Sequence, residues 1–407
     1  MNRQKTMLKY PAEMEPMFPK KNADLVDLAM DVHREAAALG RSLHKITRER
    51  IAEILRHINS YYSNLIEGHH THPSDIERAV RREYDTDSAK RNLQELSLAH
   101  IEVQRRIEER INEYPGLEIS TSEFLCWIHK TFYDQVPAEF RRIDDPATGE
   151  SITMVPGELR QRLVEVGRHL PPIPDALPAF LNRFHEAYNP DDLHGSTKLI
   201  AIAASHHRLA WIHPFLDGNG RVARLFSHAF MIKAKIESHG LWTISRGLSR
   251  RVEDYRRYLA LADSSRMGDY DGRGHLSESR MGEFCTFFLD TCLDQIGFMG
   301  ELLDLDNLQN RIKGYVDLRS HHMIPNEDEL RPEAKFILVE VMLRGQVPRG
   351  EAKRITGLNE RTARSLVSQL EKEELIMSDS HKGPIRFSIP SKVVGYYFPS
   401  LYPEGMI

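Results

Sequence analysis

The chain is poor in cysteine, in long apolar runs and in net charge, and each shortage argues against a class of protein. Cysteine occurs three times in 407 residues, as Cys126, Cys285 and Cys292. None stands in a CxxC pair, which argues against a disulfide framework or a thiolate zinc site and for a reducing compartment. Apolar stretches such as "LIAIAA" (199–204) break into polar residues too early to span a bilayer. The first residues contain no continuous apolar core, so a secretory leader is not expected. A formal net charge of −4 gives no global attraction for nucleic acid. With 41% hydrophobic and 28% charged residues, the expectation is a soluble, cytoplasmic globular protein with no membrane partner.

Glycine and proline are unevenly spread, and this divides the chain. Residues 1–22 hold scattered prolines and read as a loosely ordered lead-in. From about 24 to 111 apolar residues recur at three- and four-residue steps, the period of amphipathic helices. Within this region Thr47 is the expected N-cap, and Gly68 the stop, of a helix over about 47–68. Another helix is expected over 120–136. The segment 141–174 is rich in Gly and Pro with short β-branched runs, and reads as loop plus a small hairpin. Helices are expected again over 175–187 and 196–211, after the glycines near 220, and over 278–312. Three further helical patterns and two short β-like runs around Lys382-Gly383 suggest a winged helix-turn-helix. The expected fold is therefore mainly α with one small hairpin. Its divisions are 1–112, a helical region; 113–325, the core; and 326–407, the winged helix.

The densest chemistry lies in "WIHPFLDGNGRVAR", residues 211–224. Gly218 and Gly220 admit backbone angles and a close approach that a side chain would block. A helix starting at about Gly220 would aim the free amides of its first turn at whatever sits over "DGNG", an anion-binding nest. Arg221 and Arg224, three apart, share a helix face and bring two guanidinium forks to that anion, as suits a di- or triphosphate. Asp217 precedes the nest, placed to hold a divalent ion such as Mg2+. His213 has an ordinary pKa near ~6.5 and accepts a proton at neutral pH. Singly, each residue has a plainer reading: a structural histidine, a turn, solvent-facing arginines. Their conjunction in one turn-helix unit describes transfer from a nucleotide to a hydroxyl. The stretch is not a Walker A loop, and no strand precedes it as a dinucleotide fingerprint would require.

"HPFLDGNGRVAR" resembles the signature of the Fic family, HPFx[DE]GN[GK]RxxR, with every specified position filled. The resemblance covers roughly residues 120–265 and implies a Fic-type helical core with a β-hairpin flap. It also implies transfer of AMP from ATP, with Mg2+, to a Ser, Thr or Tyr hydroxyl of a protein substrate, releasing pyrophosphate. His213 would be the general base and Asp217 the metal ligand. Gly218, Asn219 and Gly220 would form the anion hole, and Arg221 and Arg224 the phosphate contacts. "GELRQRLVEVGRHLPP" is similar to the family's flap, with Leu159 where the family has tyrosine. Val164, Glu165, Val166 and Gly167 would hold the target segment by β-augmentation. "EDYRRYLALAD" resembles the adenosine-side helix, with Tyr255 facing the base and Asp263 where many members have asparagine.

"SNLIEG", 63–68, resembles the family's inhibitory signature [ST]xxxE[GN]. Ser63 and Glu67 share a helix face. A glutamate pairing with Arg224 would occupy the fork meant for the γ-phosphate, which makes Glu67 the inhibitory residue and a part of the nucleotide site. Two rival functions keep the same sequence. In one, Glu67 orients water and the site removes AMP. In the other, the core is sensory and the winged helix binds DNA, with Arg361 and Arg364 at a groove. Such winged helices also serve protein contact or homodimerisation. "EGHHTHP" (67–73) lacks a complete zinc ligand set, and His206-His207 read as helix packing and surface. "GDYDGRGHL" (268–276) lacks the bidentate glutamate of a calcium loop, with Arg280 in its place, and reads as a polar loop.

Overall fold

The computed structural model describes residues 7–144, 149 and 151–403. Five helices come first along the chain: α1 (Ala23–Ala38), α2 (Lys45–Ile66), α3 (Pro73–Val80), α4 (Ser88–Glu113) and α5 (Ser122–Tyr133). Local chemistry starts them: the side chains of Asn22, Asp87 and Thr121 accept hydrogen bonds from first-turn amides of α1, α4 and α5. Strands β1 (Arg142–Asp144) and β2 (Ser151–Thr153) pair antiparallel. Then come α6 (Leu177–Tyr188), α7 (Gly195–Ile212), α8 (Asn219–Lys233), α9 (Ile244–Arg250), α10 (Val252–Ala262), α11 (Glu278–Leu303) and α12 (Leu305–Ser320). The remaining residues form α13 (Ala334–Arg344), β3 (Gln346–Val347), α14 (Ala352–Thr356), α15 (Glu360–Lys372), β4 (Ile376–Met377), β5 (Ile385–Phe387) and α16 (Ser391–Tyr397). Their sheet has the order β3-β5-β4 and is antiparallel throughout.

The centre is the α7–α8 pair. Helix α7 is buried on nearly every face from Leu199 to Ile212, as expected of a helix packed on all sides. Its neighbours are α1, α6, α8 and α11, while α8 also packs on α4 and α5. The loop joining these two buried helices, 213–218, is the chemically dense stretch, so a rigid scaffold holds it at both ends. Among the described residues no helix is long and apolar enough to cross a membrane.

Several expectations from the sequence are corrected. The described part of the lead-in is packed: Met14 and Met17 are buried, and Arg183 pairs with Glu15. Thr47 does not cap α2. His44 accepts from the Ile46 amide instead, while the Thr47 hydroxyl, fully buried, donates to the Met342 carbonyl at 2.6 Å. Gly68, with φ of 84°, follows the end of α2 as expected. The paired strands of 141–174 lie at 142–153, upstream of the segment expected to be the flap hairpin. The helical stretch 278–312 is two helices broken at Asp304, which caps α12 through its side chain. His206 and His207 are not surface residues, being 0% and 1% exposed.

Candidate active site

His213 ends α7 in the left-handed region, φ 50° and ψ 61°. Its amide still bonds back to Leu209, and its Nδ1 lies 3.4 Å from the Ala210 carbonyl. Donation from Nδ1 to that carbonyl leaves the Nε2 lone pair free to take a proton. Burial is the main cause that pushes its pKa down to about 4, so the ring is neutral at physiological pH. The following loop is closed by Asn219, whose Oδ1 accepts from the Phe215 amide at 2.9 Å and whose Nδ2 donates to the Phe215 carbonyl at 2.8 Å. The Asn219 side chain therefore staples the loop, and any anion contact from this residue comes from its backbone amide.

Gly218 caps α8 at φ 78°. A Cβ there would stand 2.5 Å from the Tyr133 hydroxyl, so both the angle and the space require glycine. A Cβ on Gly220 would stand 2.5 Å from Oε1 of Glu67. The glutamate carboxylate thus lies over the first turn of α8, whose leading amides have no partner within the helix. The same Oε1 accepts from Arg224 Nη2 at 2.6 Å. Ser63 completes the grip, its hydroxyl accepting from Arg224 Nε at 2.9 Å and its carbonyl from Nη2 at 3.0 Å. Burial works to raise the Glu67 pKa, but the Arg224 and Arg221 guanidiniums outweigh it and hold the carboxyl below its ordinary range. An anion already sits where the sequence led us to expect one.

Arg221 is buried beside it. Its Nη1 donates to the Tyr133 hydroxyl at 3.2 Å and its Nε to Asn64 Oδ1 at 3.4 Å. Its Nη2 and the Nδ2 of Asn64 are buried with no hydrogen-bond partner. Buried donors without acceptors are costly, and a phosphate oxygen would satisfy them. Asp217 is exposed at the lip of the loop, with the Tyr133 hydroxyl 3.4 Å from Oδ2. One exposed carboxylate beside an anion hole fits Mg2+, which takes one or two carboxylates and fills its other positions with phosphate oxygens and water. Among the described residues no group of three or more His, Cys, Asp or Glu could hold a metal by protein ligands alone.

The expected flap is a tethered turn more than a ribbon. Val166 and His169 form a single antiparallel bridge, with Gly167 at φ 60° between them. Leu163 and Val166 are exposed, 57% and 40%, while Val164 is half-buried and Glu165 lies at the surface. Three side chains tie this turn to the His213 loop, and sequence reasoning singled out none of them. Arg160, 1% exposed, donates from Nε to the His213 carbonyl at 2.8 Å, from Nη1 to Arg162 and from Nη2 to Pro172. His129 accepts from the Gly157 amide at Nδ1, 2.8 Å, and so carries its proton on Nε2, which faces the Asp217 carbonyl at 3.3 Å. His169 Nε2 meets the Trp211 carbonyl at 2.7 Å. Only Arg160 had a signal, as the last residue of "GELR"; the histidines sit in unremarkable local sequence.

On the other side of Arg224, Tyr255 is 4% exposed, and its hydroxyl meets His206 Nε2 at 2.7 Å. The aromatic expected to face a nucleobase is therefore part of the packing behind the arginine. Asp263 caps α10, and its Oδ1 lies 3.1 Å from Nε2 of buried His207.

A buried helical hairpin whose connecting loop carries a neutral histidine and a stapled glycine turn, with two buried arginines on the helix that follows, makes a candidate site for a polyanion. Residues 119–231 match the model of the Fic/DOC family. It is 29% identical over 175 residues to "Protein adenylyltransferase Fic" of Nematostella vectensis, covering 39% of this chain and 40% of that protein. It is 37% identical over 78 residues to the protein of the same name from Drosophila erecta, covering 19% of this chain and 16% of that one. The chain thus spans two fifths or less of the length of these curated relatives. A crystal structure of a Fic family protein from Desulfovibrio desulfuricans G20 shares the fold, with a TM-score of 0.50 at 16% identity, covering 91% of this chain and 98% of that one.

Proposed function

We propose that the chain is a protein adenylyltransferase, moving AMP from ATP to a Ser, Thr or Tyr hydroxyl of a protein, and that Glu67 holds it inactive. The observation that carries this reading is the Glu67 carboxylate on Arg224 over the first turn of α8. A carboxylate in that position competes with phosphate oxygens for the same donors. In the reaction, an acceptor segment lies along 163–167 and presents its hydroxyl to His213. His213 Nε2 takes the hydroxyl proton while the oxygen bonds to the α-phosphorus. The bond from that phosphorus to the pyrophosphate oxygen breaks, and pyrophosphate leaves. Arg221, Arg224 and the first amides of α8 hold the outer phosphates, which orients the displacement. Asp217 would hold Mg2+, which when bound neutralises phosphate charge. The test is intact-mass measurement of Glu67→Gly and wild-type protein after incubation with Mg-ATP. The reading fails if neither gains the mass of an AMP group on itself or on added protein.

A second reading uses the same site in reverse. The Glu67 side chain is 31% exposed, so its carboxylate can reach solvent and orient a water to remove AMP. Efficient removal by wild type and not by Glu67→Gly would favour it.

The division of the chain at 112 and 325 belongs to the same proposal, as does a winged helix over 326–407. Helices α13, α14 and α15 with a three-stranded sheet, followed by α16, support the latter. Its chemistry favours protein contact over DNA. Arg344 and Arg354 pair with Glu351, Arg349 with Glu371, and Arg364 with Glu360, so most of the arginine charge of this region is balanced by a neighbouring glutamate.

A further inference from the structure

Helix α2 carries Ser63 and ends at its C-cap, Glu67, and residues far along the chain hold it at two points. At its start, the Thr47 hydroxyl donates to the Met342 carbonyl in α13. Gly345, at the end of α13, comes so close that a Cβ would stand 2.1 Å from His44 Nδ1 and 2.9 Å from Ile46 Cβ. Near its other end, the Tyr62 hydroxyl donates to the Leu401 carbonyl at 3.0 Å. The Tyr402 ring meets Tyr61 edge-on at 5.4 Å, and Tyr61 meets Tyr62 edge-on at 4.9 Å. Arg246 locks the same turn, donating to the Ser400 carbonyl at 2.7 Å and to Gln295 Oε1 at 3.0 Å. Tyr61, Tyr62 and Tyr402 are 1%, 2% and 6% exposed, so each depends on the others to leave water.

Tyr62 immediately precedes Ser63, whose hydroxyl and carbonyl both hold Arg224. The grip on Arg224 therefore stands one residue from the grip of segment 400–402. We infer that segment 400–402 and the α13–β3 turn form a clamp on α2, so that Glu67 stays in the anion hole only while the 334–402 region is docked. A rigid helix carries the coupling. Release at Tyr402 uncovers two buried rings and frees the last turns of α2, and the register of Ser63 and Glu67 against Arg224 goes with them. A partner that binds the 334–402 region better when it is undocked would then activate the site, by as much as its affinity differs between the two states. The clamp itself rests on these hydrogen bonds and ring contacts; its effect on activity rests on the proposed role of Glu67.

The test uses the full chain with Tyr402→Ala and, as a variant that keeps every ring, Tyr62→Phe. Hydrogen exchange is measured by peptide, and self-modification with Mg-ATP by intact mass. Expected are exchange over 45–66 at least fivefold faster than wild type with α7 and α8 unchanged, and faster self-modification. In a Glu67→Gly background the same variants should add no further activity. Wild-type exchange over 45–66 in both folded variants would overturn the clamp. So would an equal rise in exchange across the whole chain, or an equal gain in activity with Glu67 already removed. If Glu67→Gly itself gains no activity, the reading of Glu67 has failed, and the exchange result alone decides the clamp.

Discussion

Replacing Glu67 by glycine should make the protein less stable and more active at once. Arg224 is 2% exposed at its side chain and Glu67 31%, so the pair is buried on one side only. Breaking a fully buried pair costs about 3–5 kcal/mol, and an exposed one contributes at most about 1. Arg224 also keeps two bonds to Ser63 when the glutamate is gone. A loss of about 1–3 kcal/mol in the nucleotide-free protein follows. The same energy opposes any phosphate that must displace the carboxylate, so productive occupancy at limiting ATP should rise about 5- to 150-fold in the variant. Saturating Mg-ATP should return part of the stability, about 2.7 kcal/mol at a hundred times Kd. Denaturant melts with and without Mg-ATP, and labelling rates by intact mass, measure both effects. Glu67→Gly combined with Arg224→Ala should be inactive. If the double variant labels as fast as Glu67→Gly, the glutamate does not act through that arginine and the reasoning is refuted.

His213→Ala should lower transfer by ~10²–10⁴-fold and leave ATP binding intact, checked by labelling rate against calorimetry. Because the neutral ring is the active form and burial holds its pKa at about 4, transfer by Glu67→Gly should stay flat as pH falls from 8 to about 5 and drop as pH passes through about 4; an acid limb near ~6.5 would contradict this assignment. Asn219→Ala breaks both bonds to Phe215 and should cost about 1–3 kcal/mol in a urea melt, well beyond the effect of an ordinary surface change. With most arginines of the 334–372 region already paired to glutamates, DNA binding should be weak, salt-sensitive and sequence-independent; a specific footprint lost on Arg361→Ala would reverse that view.

The motif of 211–224 was legible because its chemistry is local. Two glycines, an asparagine and a helix start fall within one turn, and their roles follow from backbone angles and free amides alone. The Glu67–Arg224 contact was legible only through resemblance, since nothing in the spacing of residues 67 and 224 says that they meet. The anchoring of the flap segment was not legible, for a physical reason. Its hold on the site comes from Arg160, His129 and His169 donating to or accepting from backbone groups, and such contacts leave no periodicity in the sequence. Thr47 was misread in the same way: a threonine near a helix start satisfies the capping pattern, but this one faces inward and serves Met342. The burial of Tyr255 and the turn of its hydroxyl toward buried His206 were likewise not legible, since nothing in the motif says that the two meet.

These misses share a direction that bears on control. Several contacts that leave no mark in the local sequence tie the 213–218 loop, or the helix that blocks it, to a distant segment. The loop itself is over-determined by neighbours in sequence: the Asn219 staple, the Gly218 turn and the fully buried α7 and α8. Nothing there offers two arrangements of similar energy. Helix α2 differs: its buried face packs on α4 and α9, but its blocking end carries one partly exposed carboxylate and is also held from far along the chain by polar and edge-on aromatic contacts. Switching needs an element with two accessible positions beside a site that does not move. In this chain the sequence-local residues supply the fixed site, and the long-range contacts supply the movable part, so a change in activity should be sought at α2 and its holders and not in the motif.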